Sequence, residues 1–395
     1  MTRCDRKRPT KLLGLALSVI LALSLGGCYS RREIELTGFI LAVGLDRGEE
    51  LPLRLVAQLA VPAAVAGERD GGGDQPSVLL SAEGNTISEA IQELSMVTPD
   101  RLFWGHADIV IFTVEAIEGG LGRVVDIVLR EREFRPAARI YVTEEDLDEL
   151  LSVEFPTQPM NASYIERLSE RSTSYSMSLL ATVKDLGCAS VSSECALLVP
   201  VLKLDQSSLA GMQNGDGKSL RLEGSAIISS AGLLGQLNGT ETRGALWALG
   251  RAGETSVSLV RPADITGFVG VRVLRSWSEV TVHVNQEQVE DSIVKIVVRG
   301  EADLTEIQDD QPYQDVEDLT SINAALNDAI MSETRAALTK AQTMAADVFG
   351  LAERFRQSMA AKQWRDVRGR WPAVFQQLRI DVQADFSVRR RGMRT

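Results

Sequence analysis

The sequence predicts an α+β protein: a mixed sheet with helices toward the N-terminus, and an antiparallel sheet packed on one long helix toward the C-terminus. Three observations carry this expectation. Between Glu35 and Ser152, short apolar runs alternate with amphipathic helical spacings. Two long strand-like runs, 271–284 and 293–304, then precede a helical pattern over 321–359. Finally Ile380, Val382, Ala384, Phe386 and Val388 alternate with Asp381, Gln383, Asp385, Ser387 and Arg389, the period of a half-buried strand.

Taken in order, residues 36–45 and 53–61 read as strands, with Gly38 and Gly44 permitting a bulge or close approach in the first. A glycine-rich charged loop, 63–76, separates them from a short strand at 78–82. Thr86 with Glu89 forms a capping box for a helix whose Ile87, Ala90, Ile91 and Leu94 share a face. Strands at 107–113 and 137–142 flank helical spacing at 121–129, and Thr143 with Asp146 caps a short acidic helix. A helical stretch over 163–186, a cysteine-bearing loop and a strand at 196–204 follow. The polar, glycine-bearing segment 205–217 is the best linker candidate. A hairpin (220–228 and 233–237) then turns at Asn238-Gly239 into a helix over 240–249. In the 321–359 pattern Ile322, Leu326, Ile330, Ala337 and Ala341 recur at three-, four- or seven-residue steps. A continuous helix there would run roughly 57 Å at 1.5 Å per residue, with Gly350 a place to bend. The expected division is 1–27 leader, 28–204 N-terminal domain, 205–262 middle domain and 263–395 C-terminal domain.

The leader decides the compartment. Arg3, Arg6, Lys7, Arg8 and Lys11 precede an apolar run from Leu12 to Leu25, too short to span a bilayer core comfortably and suited to a secretory signal. It ends in Leu25-Gly26-Gly27-Cys28. Small residues before a cysteine suit a lipoprotein peptidase, and the Cys28 thiol can carry a thioether-linked diacylglyceryl group. Two acyl chains hold a membrane stably where one does so only marginally. The leader's five bases and one acid make +4, so the overall −12 becomes −16 for residues 28–395. A body this acidic argues against nucleic acid and against adhesion to anionic headgroups. Cys188 and Cys195 remain, either as a disulfide closing a small loop or as two free thiols.

No enzyme signature emerges: the sequence offers no catalytic, cofactor-binding or metal site. The two histidines, His106 and His283, each stand alone in strand contexts. Cys188 and Cys195 have no histidine at zinc spacing. The acidic clusters Glu144-Glu145-Asp146 and Asp309-Asp310 read as solvated faces, and the basic tail 389–391 lacks aromatic partners for nucleic acid.

Several segments in order resemble the Ger(x)C family of spore germination lipoproteins. They begin with Cys28-Tyr29-Ser30-Arg31-Arg32-Glu33-Ile34-Glu35 leading to Gly44-Leu45-Asp46, though the family commonly has Trp-Asp where Tyr29-Ser30 stand. Gly84-Asn85-Thr86-Ile87-Ser88-Glu89-Ala90 and Leu102-Phe103-Trp104-Gly105-His106 follow, then Arg135-Pro136. Glu241-Thr242-Arg243-Gly244 with Leu246-Trp247 comes next, and Asp347-Val348-Phe349-Gly350 with Trp364 and Trp371 ends the series. The resemblance implies a three-domain, non-enzymatic subunit of a nutrient germinant receptor without cofactors. It would be lipid-anchored through Cys28 to the outer face of the inner spore membrane, beside two integral-membrane subunits of A and B type. The alternative is a substrate-binding lipoprotein serving a transporter, which requires two similar lobes around a cleft. The halves here are unlike. An exported hydrolase is the third possibility, and it lacks its catalytic groups.

Overall fold

The computed structural model describes residues 37–390 except 62–75, 119, 121–124, 126–127, 129–133, 156, 159, 193, 206–217, 261–267 and 309–315. The leader, Cys28, the glycine-rich loop, most of the 205–217 linker and Asp309-Asp310 therefore lie outside the described residues. So does most of the 121–129 helical pattern.

β1 (Thr37–Asp46), β2 (Leu53–Ala60) and β3 (Ser77–Gly84) pair antiparallel in that order. On its other side β1 pairs parallel with β5 (Ile109–Thr113), and β5 with β6 (Arg139–Thr143). The sheet continues through β7 (Leu197–Asp205), β8 (Ser219–Ser229) and β9 (Gly232–Leu237), while the short β4 (Arg101–Phe103) also pairs with β1. The central strands are buried on both faces, which is why they read as unbroken apolar runs. In β5, Val110 and Phe112 point into one core while Ile109 and Ile111 point into another. Helix α1 (Ile87–Val97) inserts Ile87, Ala90 and Leu94 into the first core. Past the short α2 (Val114–Ile117), α3 (Leu147–Ser152) and α4 (Asn161–Ser174) fill the second with Leu147, Leu150 and Ile165.

The caps are those of the sequence with small shifts. The Thr86 side chain accepts from Glu89 N, and Glu89 in turn accepts from Asn85 N rather than from the cap residue itself. At α3 the cap is Asp146, while Thr143 is buried and donates to the Leu202 carbonyl. The expected 163–186 helix is two, α4 and α5 (Val183–Val191), because Thr182 and Asp185 form a capping box that starts a new helix. That cap also carries Cys188 into α5, not into a loop.

The second sheet runs β10 (Thr255–Val260), β11 (Phe268–His283), β12 (Ile293–Ile307), β13 (Arg379–Arg390). The first three strands are antiparallel, but β13 lies parallel to β12, a correction to the all-antiparallel expectation. The reason is the helical connection. After β12, helix α7 (Val316–Thr343), about 42 Å long at 1.5 Å per residue, runs back along the sheet and returns the chain to the end where β12 began. Phe386 on β13 is buried over Gly300 of β12, where a Cβ would sit 2.2 Å from its ring. The expected continuous helix also breaks. α7 stops at Thr343, and α8 (Leu351–Ser358) starts after Gly350, whose φ of 69° suits a glycine. Two more short helices, α9 (Ala361–Arg368) and α10 (Trp371–Gln377), lead into β13.

Candidate functional site

Three of the segments that carry the resemblance turn out to be joints of the fold. The first is a helix–helix contact. Asn238 caps α6 (Gly239–Leu249) in a capping box with Glu241, and α6 then lies against α7. Arg243 pairs with Glu333 of α7 through two nitrogens, Nε donating to Oε2 at 2.8 Å. Trp247 Nε1 donates to the same Oε2 at 2.9 Å. Lys340 Nζ reaches Glu241 Oε2 at 2.7 Å. Gly244 lets the backbones approach so closely that a Cβ there would sit 2.0 Å from the Glu333 carbonyl oxygen. Trp247 also meets Phe386 edge-on, with centroids 5.9 Å apart, which ties this joint to β13.

The second joint replaces the missing stretch of helix. Asp347 is buried and collects four donors: Phe349 and Leu351 N–H on Oδ1, both at 3.1 Å, and Ala352 N–H (2.6 Å) and Trp371 Nε1 (3.1 Å) on Oδ2. Burial raises its carboxyl above the ordinary range, against the pull of those donors. Trp371 in turn packs on Phe355 and Trp364 at 4.9 and 5.7 Å.

The third joint closes the start of β1. Trp104-Gly105-His106 form a 3-10 turn, with Trp104 buried against Phe134. The exposed His106 ring packs on Phe39 and Phe103 at 5.3 and 5.5 Å. Gly105 leaves room for Phe103, whose ring a Cβ would meet at 2.6 Å. His283, at the far end of β11, is exposed and separate from this group.

One crevice, of about 310 Å³, opens at the carboxyl ends of β1, β5 and β6, where open α/β sheets commonly bind ligands. Four of its five acids are already engaged by the protein. Asp46 accepts from Thr113 Oγ1 at 2.5 Å, Glu144 from Gln236 at 2.6 Å, Glu145 from Leu204 N–H at 3.3 Å and Asp146 from Glu149 N–H at 2.9 Å. Of the Glu144-Glu145-Asp146 cluster, read from sequence as a solvated face, all three residues brace backbone or side chains. Among the described residues no group of three or more His, Cys, Asp or Glu stands together in metal-ligating geometry.

Of the residues singled out in sequence, Cys28 lies outside the described residues. Cys188 lies within α5, and Cys195 lies just before β7 with its sulfur in a disulfide. Glu333, the hub of the first joint, was not singled out. Its only signal was a carboxylate inside a helix pattern, which has no partner until α6 is placed beside it.

Residues 30–204 match the family described as spore germination protein N-terminal domain, and residues 223–392 match spore germination B3/GerAC like, C-terminal. The chain belongs to the Ger(x)C family. Spore germination protein KC of Bacillus subtilis (strain 168) is 27% identical to this Ger(x)C protein over 403 residues, covering 97% of each chain. Putative spore germination protein YfkR of the same organism is 22% identical over 382 residues, 95% of this chain and 96% of that one. The crystal structure of the GerBC protein shares the fold, with a TM-score of 0.56 at 14% identity, covering 88% of this chain and 96% of that one. This is therefore a spore germination protein of α+β architecture. Among its described residues no helix is long and apolar enough to cross a membrane.

Proposed function

We propose that this Ger(x)C protein is a non-catalytic, lipid-anchored subunit of a spore germinant receptor, required for nutrient-triggered germination. It works by docking beside two integral-membrane subunits of A and B type, on the outer face of the inner spore membrane. The observation that carries this reading is that both germination-family matches together span nearly the whole chain, while the motif residues within them are spent on internal joints. What such a protein has left to offer is its surface.

The anchor in this reading is Cys28. Eight residues lie between it and Thr37, so an extended stem reaches at most about 30 Å. That tether holds the start of β1, with the Arg101 strand and the His106 turn beside it, nearest the bilayer. The same reading pairs Cys195 with Cys188, supported by the disulfide at Cys195 and by the seven-residue separation. Mass spectrometry of the mature N-terminus tests the anchor. A diacylglyceryl group on Cys28, absent in Cys28→Ala, is the expected result, and a mature chain starting at any other residue contradicts it.

A further inference from the structure

Two edge strands of this protein are treated in opposite ways. The outer edge of β13 is sealed by side chains of α7. Phe386 N–H donates to Asn327 Oδ1 at 2.8 Å, Val388 N–H donates to Asn323 Oδ1 at 2.7 Å, and Arg335 Nη2 donates to the Val382 carbonyl at 3.3 Å. Asn323, Asn327 and Arg335 lie at i, i+4 and i+12, one stripe of the helix, and they occupy alternate main-chain groups that an incoming strand would need.

β3, the edge of the first sheet, has no such cover among the described residues. It pairs with β2 on one side and with no described strand on the other. Its eight residues include no proline, lysine or arginine, the residues that usually blunt an edge. Its one charge, Glu83, is folded back to accept the N–H groups of Glu49, Glu50 and Leu51 at 2.8–2.9 Å. Beside the strand runs a groove of about 530 Å³, walled by Ser81–Glu83 and by Glu89, Glu93 and Val97 of α1, and closed by the 49–51 turn. Among the described residues no basic side chain lines it. Apolar side chains stand open nearby: Val78 is 43% exposed, and Met96 and Val97 at the end of α1 are 76% and 73% exposed.

We propose that the β3 edge is a docking site for an extended segment of a partner protein, added as a further strand and carrying both apolar and basic residues. An unpaired edge supplies main-chain hydrogen bonds to any strand, and alternate side chains decide which strand binds. Here the side chains of the incoming strand meet the exposed Val78 and Val97 together with the carboxylates of Glu49, Glu50 and Glu93. An acidic or neutral segment is repelled or unrewarded, and a helical one cannot use the edge. The proposal rests on the edge and its charge, not on the receptor reading, so the failure of either leaves the other standing.

The test uses the full chain and an eight-residue peptide alternating lysine and valine, followed by hydrogen exchange and calorimetry. Binding should slow exchange in β3, and Glu50→Lys with Glu93→Lys, both exposed and outside the caps, should weaken it by about tenfold or more at low salt. A glutamate–valine peptide should not bind. The lysine–valine peptide N-methylated along one edge should lose binding, since it keeps its charge but cannot form the ladder. Protection elsewhere than β3, equal binding of the N-methylated peptide, or no binding at all overturns the proposal.

Discussion

Asp347 is only 5% exposed, yet each of its two oxygens accepts two hydrogen bonds. An asparagine there offers one acceptor and turns an NH2 toward donors. Asp347→Asn should therefore strand the Ala352 and Trp371 N–H groups and cost about 2–5 kcal/mol. Chemical denaturation followed by tryptophan fluorescence checks this, and an unchanged midpoint contradicts it. Glu83 shows the opposite electrostatic balance. The N–H groups of Leu51, Glu49 and Glu50, with the Leu51 bond contributing most, hold its carboxyl below the ordinary value of 4.5. Because the folded-state pKa is the lower one, the ionised form favours the folded turn. Its contribution is full above the ordinary carboxylate pKa and is lost as pH falls through the depressed value. Amide protection factors at residues 49–51, taken relative to the intrinsic exchange rate at each pH, should fall on acidification through that window, and Glu83→Gln should lose the protection already at neutral pH. Protection that persists in Glu83→Gln contradicts this account. At this scale the sequence was readable where a residue acts on its near neighbours, as Thr86 does on Glu89. It was silent where the partner is remote, as with Arg243 and Glu333, 90 positions apart.

Helix lengths and strand directions depend on contacts the local pattern does not contain. The apolar spacing over 321–359 is real on both sides of the break, since Ile322, Leu326 and Ile330 are buried in α7 and Leu351 and Phe355 in α8. What interrupts it is Ala345 and Gly350 at positive φ, 54° and 69°, with the Asp347 carboxylate taking over the freed N–H groups of α8. A long-range Trp371 bond completes that socket, so periodicity alone could not reveal it. In the same way, the alternation of 380–388 identifies a strand and its buried face but not its direction. The α6–α7 joint yields an element-scale prediction. Gly244→Ala must push its Cβ into the Glu333 carbonyl and separate the helices, at about 1–3 kcal/mol or more. Gly239→Ala, in the first turn of the same helix with nothing within 4 Å of the new Cβ, should be neutral or slightly stabilising. Thermal melts of the two variants decide it, and equal midpoints contradict the close-approach role of Gly244.

Across the whole molecule, the first sheet carries through β8 and β9, past the segment 205–217 that reads as a linker, and β10 begins the second. The same apolar core runs from Ile40 and Trp104 through Trp247 to Phe386, so the joints transmit packing from one sheet to the other. The α+β class, the helix-covered mixed sheet and the sheet on a long helix were legible because each rests on periodicity. The topology that makes the last strand parallel was not, because it depends on where the connecting helix lies. On the proposed reading this protein acts through what it touches, so its companions decide the matter. The direct measurement is purification of the tagged, full-length chain from dormant-spore inner membranes under mild detergent, with the bound proteins identified and counted. Two different integral-membrane proteins of the germinant-receptor type, in fixed ratio to this chain, are the expected result. Recovery of a transporter permease with its ATPase, or of the chain alone, contradicts it.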